Sequence, residues 1–350
     1  MRTVSRALIS ATLVTALSLG VAACSSGGGS GSGSAHLTTV NFGYIADYNG
    51  SSLLAIADKQ GLWAKAGLKP SLKVFTNGPL QITALGAGDL DFGYIGPGAL
   101  WLPASGKAKV VAIDTLTTAD RVIAQPGITS MQGLKGKKVG VPEGTSGEMV
   151  LNLALQKAGM TSKDIQEVPM DPATIVSAFL SGRIAGAGIW YPLLSSIQAK
   201  KSNLVEVASD TDFTATDAFP TAFVSGEKTS PALTAKVLQV LAEANDYRAA
   251  HPQQAIADSA SLLKVSLAAA KLDAQNVTVF TTAQLVAKGQ DGTIDNWLNG
   301  LDKFFVQTKQ LTSVPAPSSF YDSTLYAQAA SAATAASASS ASSATNGAGQ

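Results

Sequence analysis

The sequence holds one cysteine, Cys24, and two histidines, His36 and His251, in 350 residues. No intramolecular disulfide is available, and a metal centre built on histidine or cysteine is all but excluded. Charge is scarce as well: charged residues make up 14% of the chain, and the formal net charge is +1. With no basic excess to meet a phosphate backbone, nucleic acid is not a partner. Catalytic signatures are also missing. The chain has no Gly-x-x-x-x-Gly-Lys-Ser/Thr loop, no His-Glu-x-x-His pair and no Gly-x-Ser-x-Gly elbow. A Ser-His-Asp site would need His36, beside a Ser/Gly tract, or His251, before Pro252; neither belongs to a cleft. No cofactor is implied, and an enzyme is not expected.

What is present begins at the amino end. Arg2 and Arg6 precede an apolar stretch from Ala7 to Ala23, and the sequence then reads Val21-Ala22-Ala23-Cys24. That stretch is too short and too diluted by Ser and Thr for a good membrane span. The segment resembles a bacterial lipobox, in which the cysteine takes a diacylglycerol and becomes the new N-terminus. The expected location is extracytoplasmic, lipid-anchored through Cys24, since each buried methylene adds about 0.8 kcal/mol to the anchor. Loss of Arg2 and Arg6 with residues 1–24 takes the 25 basic side chains to 23 against 24 acidic ones, so the mature body is near neutral. Ser25 to Ser34 is only Ser and Gly, a flexible tether within residues 25–37. Residues 321–350 end in an Ala/Ser-rich tail, and nothing from Ala327 onward offers a side chain to anchor it to a core.

The body between these ends, about 290 residues, is long enough for two lobes of ordinary domain size. Strand and helix patterns alternate through it. Thr39–Ala46, Leu72–Thr76, Asp91–Ile95 and Val110–Leu116 read as strands with helices between them. The alternation restarts with strands at Lys137–Val141, Ile165–Val168, Gly186–Trp190 and Leu204–Ala208. Two such runs predict an α/β fold in two lobes, each a mostly parallel sheet flanked by helices. Arg121–Gln125 and Thr221–Ser225 are the segments expected to carry the chain between lobes, which makes a two-crossing hinge.

Several stretches together resemble the nitrate, taurine and alkanesulfonate class of ABC solute-binding proteins. They include Asn41-Phe42-Gly43-Tyr44, Gly78-Pro79-Leu80-Gln81, Ala84 through Tyr94, Leu134 through Val141, Gly144-Thr145-Ser146-Gly147 and Ile189-Trp190-Tyr191-Pro192. The resemblance implies a two-lobe periplasmic-binding fold (type II-like) that closes on ligand, with residues 38–122 and 222–320 forming one lobe and 123–221 the other. It implies a monomer that takes a small organic anion or zwitterion, sulfonate-, taurine- or nitrate-like or heterocyclic, and delivers it to the transmembrane subunits of an ABC permease. A lipoprotein that senses ligand and reports to a receptor would read the same way.

Ligands of open α/β sheets bind beyond the carboxyl ends of strands. That rule selects the loops carrying Asp47, Asn49, Asn77, Pro97, Thr145, Ser146, Trp190 and Tyr191. Asn77 serves either as an N-cap or as a contact, and the resemblance makes Gln81 a ligand contact. By resemblance, Thr145 and Ser146 meet an anionic head group. Glu148 does not suit an anion: it either complements the helix dipole or holds a ligand amine, and Asp47 and Asp217 open the same alternative. Trp190 covers a flat part of the ligand, with Tyr44 and Tyr48 as further walls, whereas Tyr94 reads as core. Many family members carry aspartate where Tyr191 stands.

Overall fold

The structure, a computed structural model, describes residues 37–346. Cys24, the leader and the tether through residue 36 lie outside the described residues.

The first run of elements is β1 (Thr38–Ile45), α1 (Tyr48–Lys59), α2 (Leu62–Lys65), β2 (Leu68–Phe75), α3 (Gly78–Ala87), β3 (Phe92–Ile95), α4 (Trp101–Ala104) and β4 (Lys109–Thr117). The second is β5 (Asp120–Ala124), β6 (Lys138–Val141), α5 (Ser146–Lys157), β7 (Gln166–Pro169), α6 (Pro172–Leu180), β8 (Gly186–Trp190), α7 (Leu193–Gln198) and β9 (Val205–Ser209). The chain then forms β10 (Pro220–Ser225), α8 (Pro231–Ala250), α9 (Pro252–Leu263), α10 (Leu267–Ala274) and β11 (Val277–Val279). It ends with α11 (Thr282–Gln290), α12 (Thr293–Gln307) and α13 (Ser323–Asn346).

Two mixed sheets result, in the orders β11-β4-β10-β3-β1-β2 and β7-β6-β8-β5-β9. β1 lies parallel to β2 and β3, and β6 parallel to β7 and β8. β10 runs antiparallel between β3 and β4, and β5 antiparallel between β8 and β9. The reversal has a topological cause. The chain leaves the first sheet at Thr117 and enters the second at Asp120, then leaves it at Ser209 and re-enters the first at Pro220. A strand entered directly from the space between the sheets must run away from it, whereas β1, β3, β4, β6 and β8 run towards it.

Sequence patterning explains most of the elements. Val110 to Ile113 of β4 and all of β10 are buried, as continuous apolar strands should be. β2 begins four residues before the expected Leu72 and passes through Pro70, which a strand tolerates at the edge position that β2 occupies. Phe42 packs at ring-centroid distances of 5.7 Å from Phe92 and 5.8 Å from Phe223, forming the aromatic centre of the first sheet.

The C-terminal helices are tied to that sheet by a buried ion pair. Arg248 on α8 donates to Asp114 on β4 at 2.6 Å, with both side chains 1% exposed. Arg248 also donates to Ser52 on α1 at 3.0 Å and to Asn245 at 2.7 Å. The Ala/Ser tail departs from expectation. Its first part is helical in α13, with Tyr326, Ala329, Ala330 and Ala333 buried and the helix lying on α8 and α11. Small side chains allow close helix approach, and Tyr326 supplies the anchor. Among the described residues no helix is long and apolar enough to cross a membrane.

Candidate functional site

The strand ends that run towards the space between the sheets gather a narrow cleft with a cavity volume of about 30 Å³, partly open to solvent. From the first sheet come Ile45 at the end of β1 and Asp47 after it, Gly96 and Pro97 after β3, and Thr117 at the end of β4. The second sheet contributes Thr145 and Ser146 at the start of α5, with Trp190 and Tyr191 at the end of β8. Asn49, Asn77, Tyr94, Asp120 and Thr221 complete the polar and aromatic lining.

Local chemistry fixes several of these groups. Asp47 is the N-cap of α1, its Oδ1 accepting from the Gly50 amide at 2.6 Å. Asn77 caps α3 the same way, accepting from the Leu80 amide at 3.0 Å. Thr145 turns its hydroxyl back to the Pro142 carbonyl at 2.6 Å and gives α5 no side-chain cap. Asn49 accepts from the Thr115 hydroxyl at 2.8 Å, and that hydroxyl lies 2.8 Å from Thr221 Oγ1. This chain joins α1 to β4 and β10 beneath the cleft.

Asp120 is the least satisfied group in the cleft. It is 1% exposed, and its Oδ1 has no hydrogen-bond partner. Burial, followed by the neighbouring Asp210 carboxylate, pushes its pKa up to about 8, against the opposing influence of the Ser146 hydroxyl and the Arg121 guanidinium. Arg121 is engaged elsewhere. It donates to Glu206 at 3.0 Å, to Asp210 Oδ1 at 3.2 Å and to the carbonyls of Thr118 at 2.7 Å and Asp120 at 2.8 Å. Its guanidinium carbon lies 5.4 Å from the centre of the Tyr191 ring. Asp47 is likewise raised, first by burial and then by the Asp273 carboxylate.

Of the residues the sequence nominated, Asp47, Asn49, Asn77, Pro97, Thr145, Ser146, Trp190 and Tyr191 line this cleft. Five do not. Gln81 is fully buried and pairs both ends of its amide with the Tyr94 backbone, donating at 2.6 Å and accepting at 3.0 Å. It acts as a strand substitute that holds β3 against α3. Tyr44 is in the core of the first sheet, and Tyr48 packs with Ile256, Ala260 and Ala270. Glu148 folds back on its own loop, where Oε2 accepts from the Gly144 amide at 2.6 Å, and it faces a separate groove with Asn152 and Glu167. Asp217 accepts from the neighbouring Thr216 hydroxyl at 2.7 Å. Tyr94, read as core, both packs on Phe223 and lines the cleft.

Asp120 and Thr221 escaped the sequence reading for one reason. The rule that places ligands beyond the carboxyl ends of strands passes over them, because they lie at the amino ends of the two reversed strands. The available signal was an acidic residue opening an apolar strand, Ala119-Asp120-Arg121-Val122-Ile123. Among the described residues no group of three or more His, Cys, Asp or Glu side chains is placed to hold a metal ion.

A binding protein of Brucella abortus (strain 2308) is 50% identical over 285 residues, covering 81% of this chain and 89% of the relative. The taurine-binding periplasmic protein of Escherichia coli (strain K12) is 24% identical over 147 residues, 41% of this chain and 46% of the relative. In three dimensions the chain is similar to the alkanesulfonate-binding protein SsuA from Xanthomonas axonopodis pv. citri, solved bound to MOPS. The TM-score is 0.63 at 20% identity, over 81% of this chain and 98% of that one. The model of the family described as NMT1/THI5 like matches residues 50–255, more than half of the sequence. The chain belongs to the NMT1/THI5-like family.

Proposed function

We propose that this chain is the extracytoplasmic solute-binding component of an ABC importer, held at the membrane by lipid on Cys24. The observation that carries this reading is the cleft, to which both sheets contribute polar and aromatic side chains. A solute held from both sides stabilises the closed arrangement by its differential affinity for it. The two short crossings, Thr118-Ala119 and residues 210–219, are where backbone dihedrals change as the halves part. The closed, loaded monomer then docks on the transmembrane permease. Binding proteins among the relatives support capture over catalysis.

The test has three arms. Small-angle scattering of the purified protein is expected to report compaction at saturating solute. Deletion of the gene is expected to abolish uptake of that solute, and Cys24→Ala to release the protein from the membrane fraction. Turnover of the bound solute, or binding with no compaction, overturns the reading.

A further inference from the structure

The cleft is lined by two buried aspartates, Asp47 and Asp120, and by no lysine, arginine or histidine. The two aspartates differ in what they have left to offer. Asp47 spends Oδ1 on the Gly50 amide at the start of α1. Asp120 keeps Oδ1 unpartnered while only 1% exposed. A buried acceptor of this kind costs stability unless something completes it. The cation nearest to it, Arg121, is held by Glu206 and Asp210 and by two backbone carbonyls. Behind the lining stand further acids. Asp273 accepts from the Tyr48 amide at 2.6 Å, Asp210 accepts from the Asp120 amide at 3.0 Å, and Asp114 is the only one of these matched by Arg248. Tyr94, Trp190 and Tyr191 add aromatic rings, whose faces attract cations.

We infer that Asp120 is the specificity-determining residue of the cleft and that the solute presents to it a protonated nitrogen, an amine or an amidine. The inference rests on the proposed solute-binding role and narrows it. A sulfonate with no amino group finds here two aspartate side chains and no basic side chain to balance its charge. An ammonium or amidinium completes Oδ1 with a charge-assisted hydrogen bond and stacks against the rings. The cleft's basic neighbour is already neutralised, so the electrostatic preference is for a cationic or zwitterionic solute.

The probes are matched: ethylamine, benzylamine and benzamidine against ethanesulfonate and benzenesulfonate, each titrated into the full chain by thermal shift and calorimetry. The amines and the amidine are expected to raise the melting temperature, and Asp120→Asn to weaken them at least about tenfold, ~1.4 kcal/mol. Asp120→Asn keeps the shape of the side chain and the backbone hydrogen bond to Asp210, so its fold is checked by circular dichroism. Should that variant fail to fold, the wild-type titration decides alone. Stabilisation by sulfonates and not by the nitrogen probes overturns the inference and leaves the solute-binding reading standing. Equal binding of amines by wild type and Asp120→Asn overturns the role of Asp120. No stabilisation by either class overturns both.

Discussion

Gly98 and Thr145 meet backbone to backbone across the cleft, so closely that a Cβ on Gly98 would lie 2.2 Å from the Thr145 carbonyl carbon. Gly98 belongs to the turn after β3 in the first sheet, and Thr145 immediately precedes α5 beside the second. The two halves of the molecule are therefore in contact at this point, and only a residue without a side chain permits it.

Substitution at Gly98 should separate closure from folding. Gly98→Val is expected to weaken solute binding by more than about tenfold, ~1.4 kcal/mol, because the branched side chain holds the halves apart. The melting temperature of the free protein should stay near that of wild type, since an opened cleft relieves the clash. Calorimetric titration and scattering on the variant measure both quantities. A variant that binds and compacts as wild type does would show that the Gly98–Thr145 contact is dispensable.

The buried acids set the sign of the pH dependence. Burial, as the leading cause, raises Asp120 to about 8, Asp302 to about 7, and Asp210 and Asp273 to about 6. Between the ordinary carboxylate range and these values, the folded chain holds more protons than the unfolded one. Stability therefore falls as pH rises from about 4 towards 8. The melting temperature of the free protein is expected to be higher at pH 5 than at pH 8, as differential scanning calorimetry would register. A cationic solute reverses the trend locally, since it binds the Asp120 carboxylate and not the acid. Its affinity should rise with pH up to about 8 and then level.

Arg248 and Asp114 form a second testable pair. Arg248→Ala strands a 1% exposed carboxylate in the core and is expected to cost about 3–5 kcal/mol in urea unfolding. Replacement of both partners by apolar residues of similar size should cost much less, because no buried charge is then left alone. The double variant is the control: equal losses in both would mean that packing, not charge, dominates the site.

The carboxyl-terminal helix contributes to the same body. Tyr326 is 4% exposed on α13, and Tyr326→Ala is expected to destabilise the fold by about 3 kcal/mol. Truncation after Asp322 should lower the melting temperature further by uncovering α8. An unchanged melting temperature in the truncated protein would mean that α13 adds nothing to stability.

Some of this site was legible in the residues alone, and the division follows the range of the interactions. Asn77 is found from sequence because an N-cap is decided within three residues of itself, and Asp47 because it lies in the loop beyond a parallel strand. Pro97, Thr145 and Trp190 follow from the rule that places ligands beyond parallel strands. Gln81 misleads because its amide is satisfied by Tyr94, thirteen residues away on another element. Glu148 misleads for a local reason: its carboxylate caps the Gly144 amide of its own loop and faces away from the cleft lining.

By itself the sequence determined the alternation of strands and helices, the helix caps and the presence of two runs, each of which depends on neighbours in the chain. Tertiary structure alone decided that β5 and β10 are reversed, and hence that Asp120 and Thr221 open onto the cleft. It also decided that Ala329, Ala330 and Ala333 belong to a core. The physical reason is the same in each case. Strand direction and burial are set by segments far apart in sequence, and a side chain's chemistry is fixed by what those segments bring beside it.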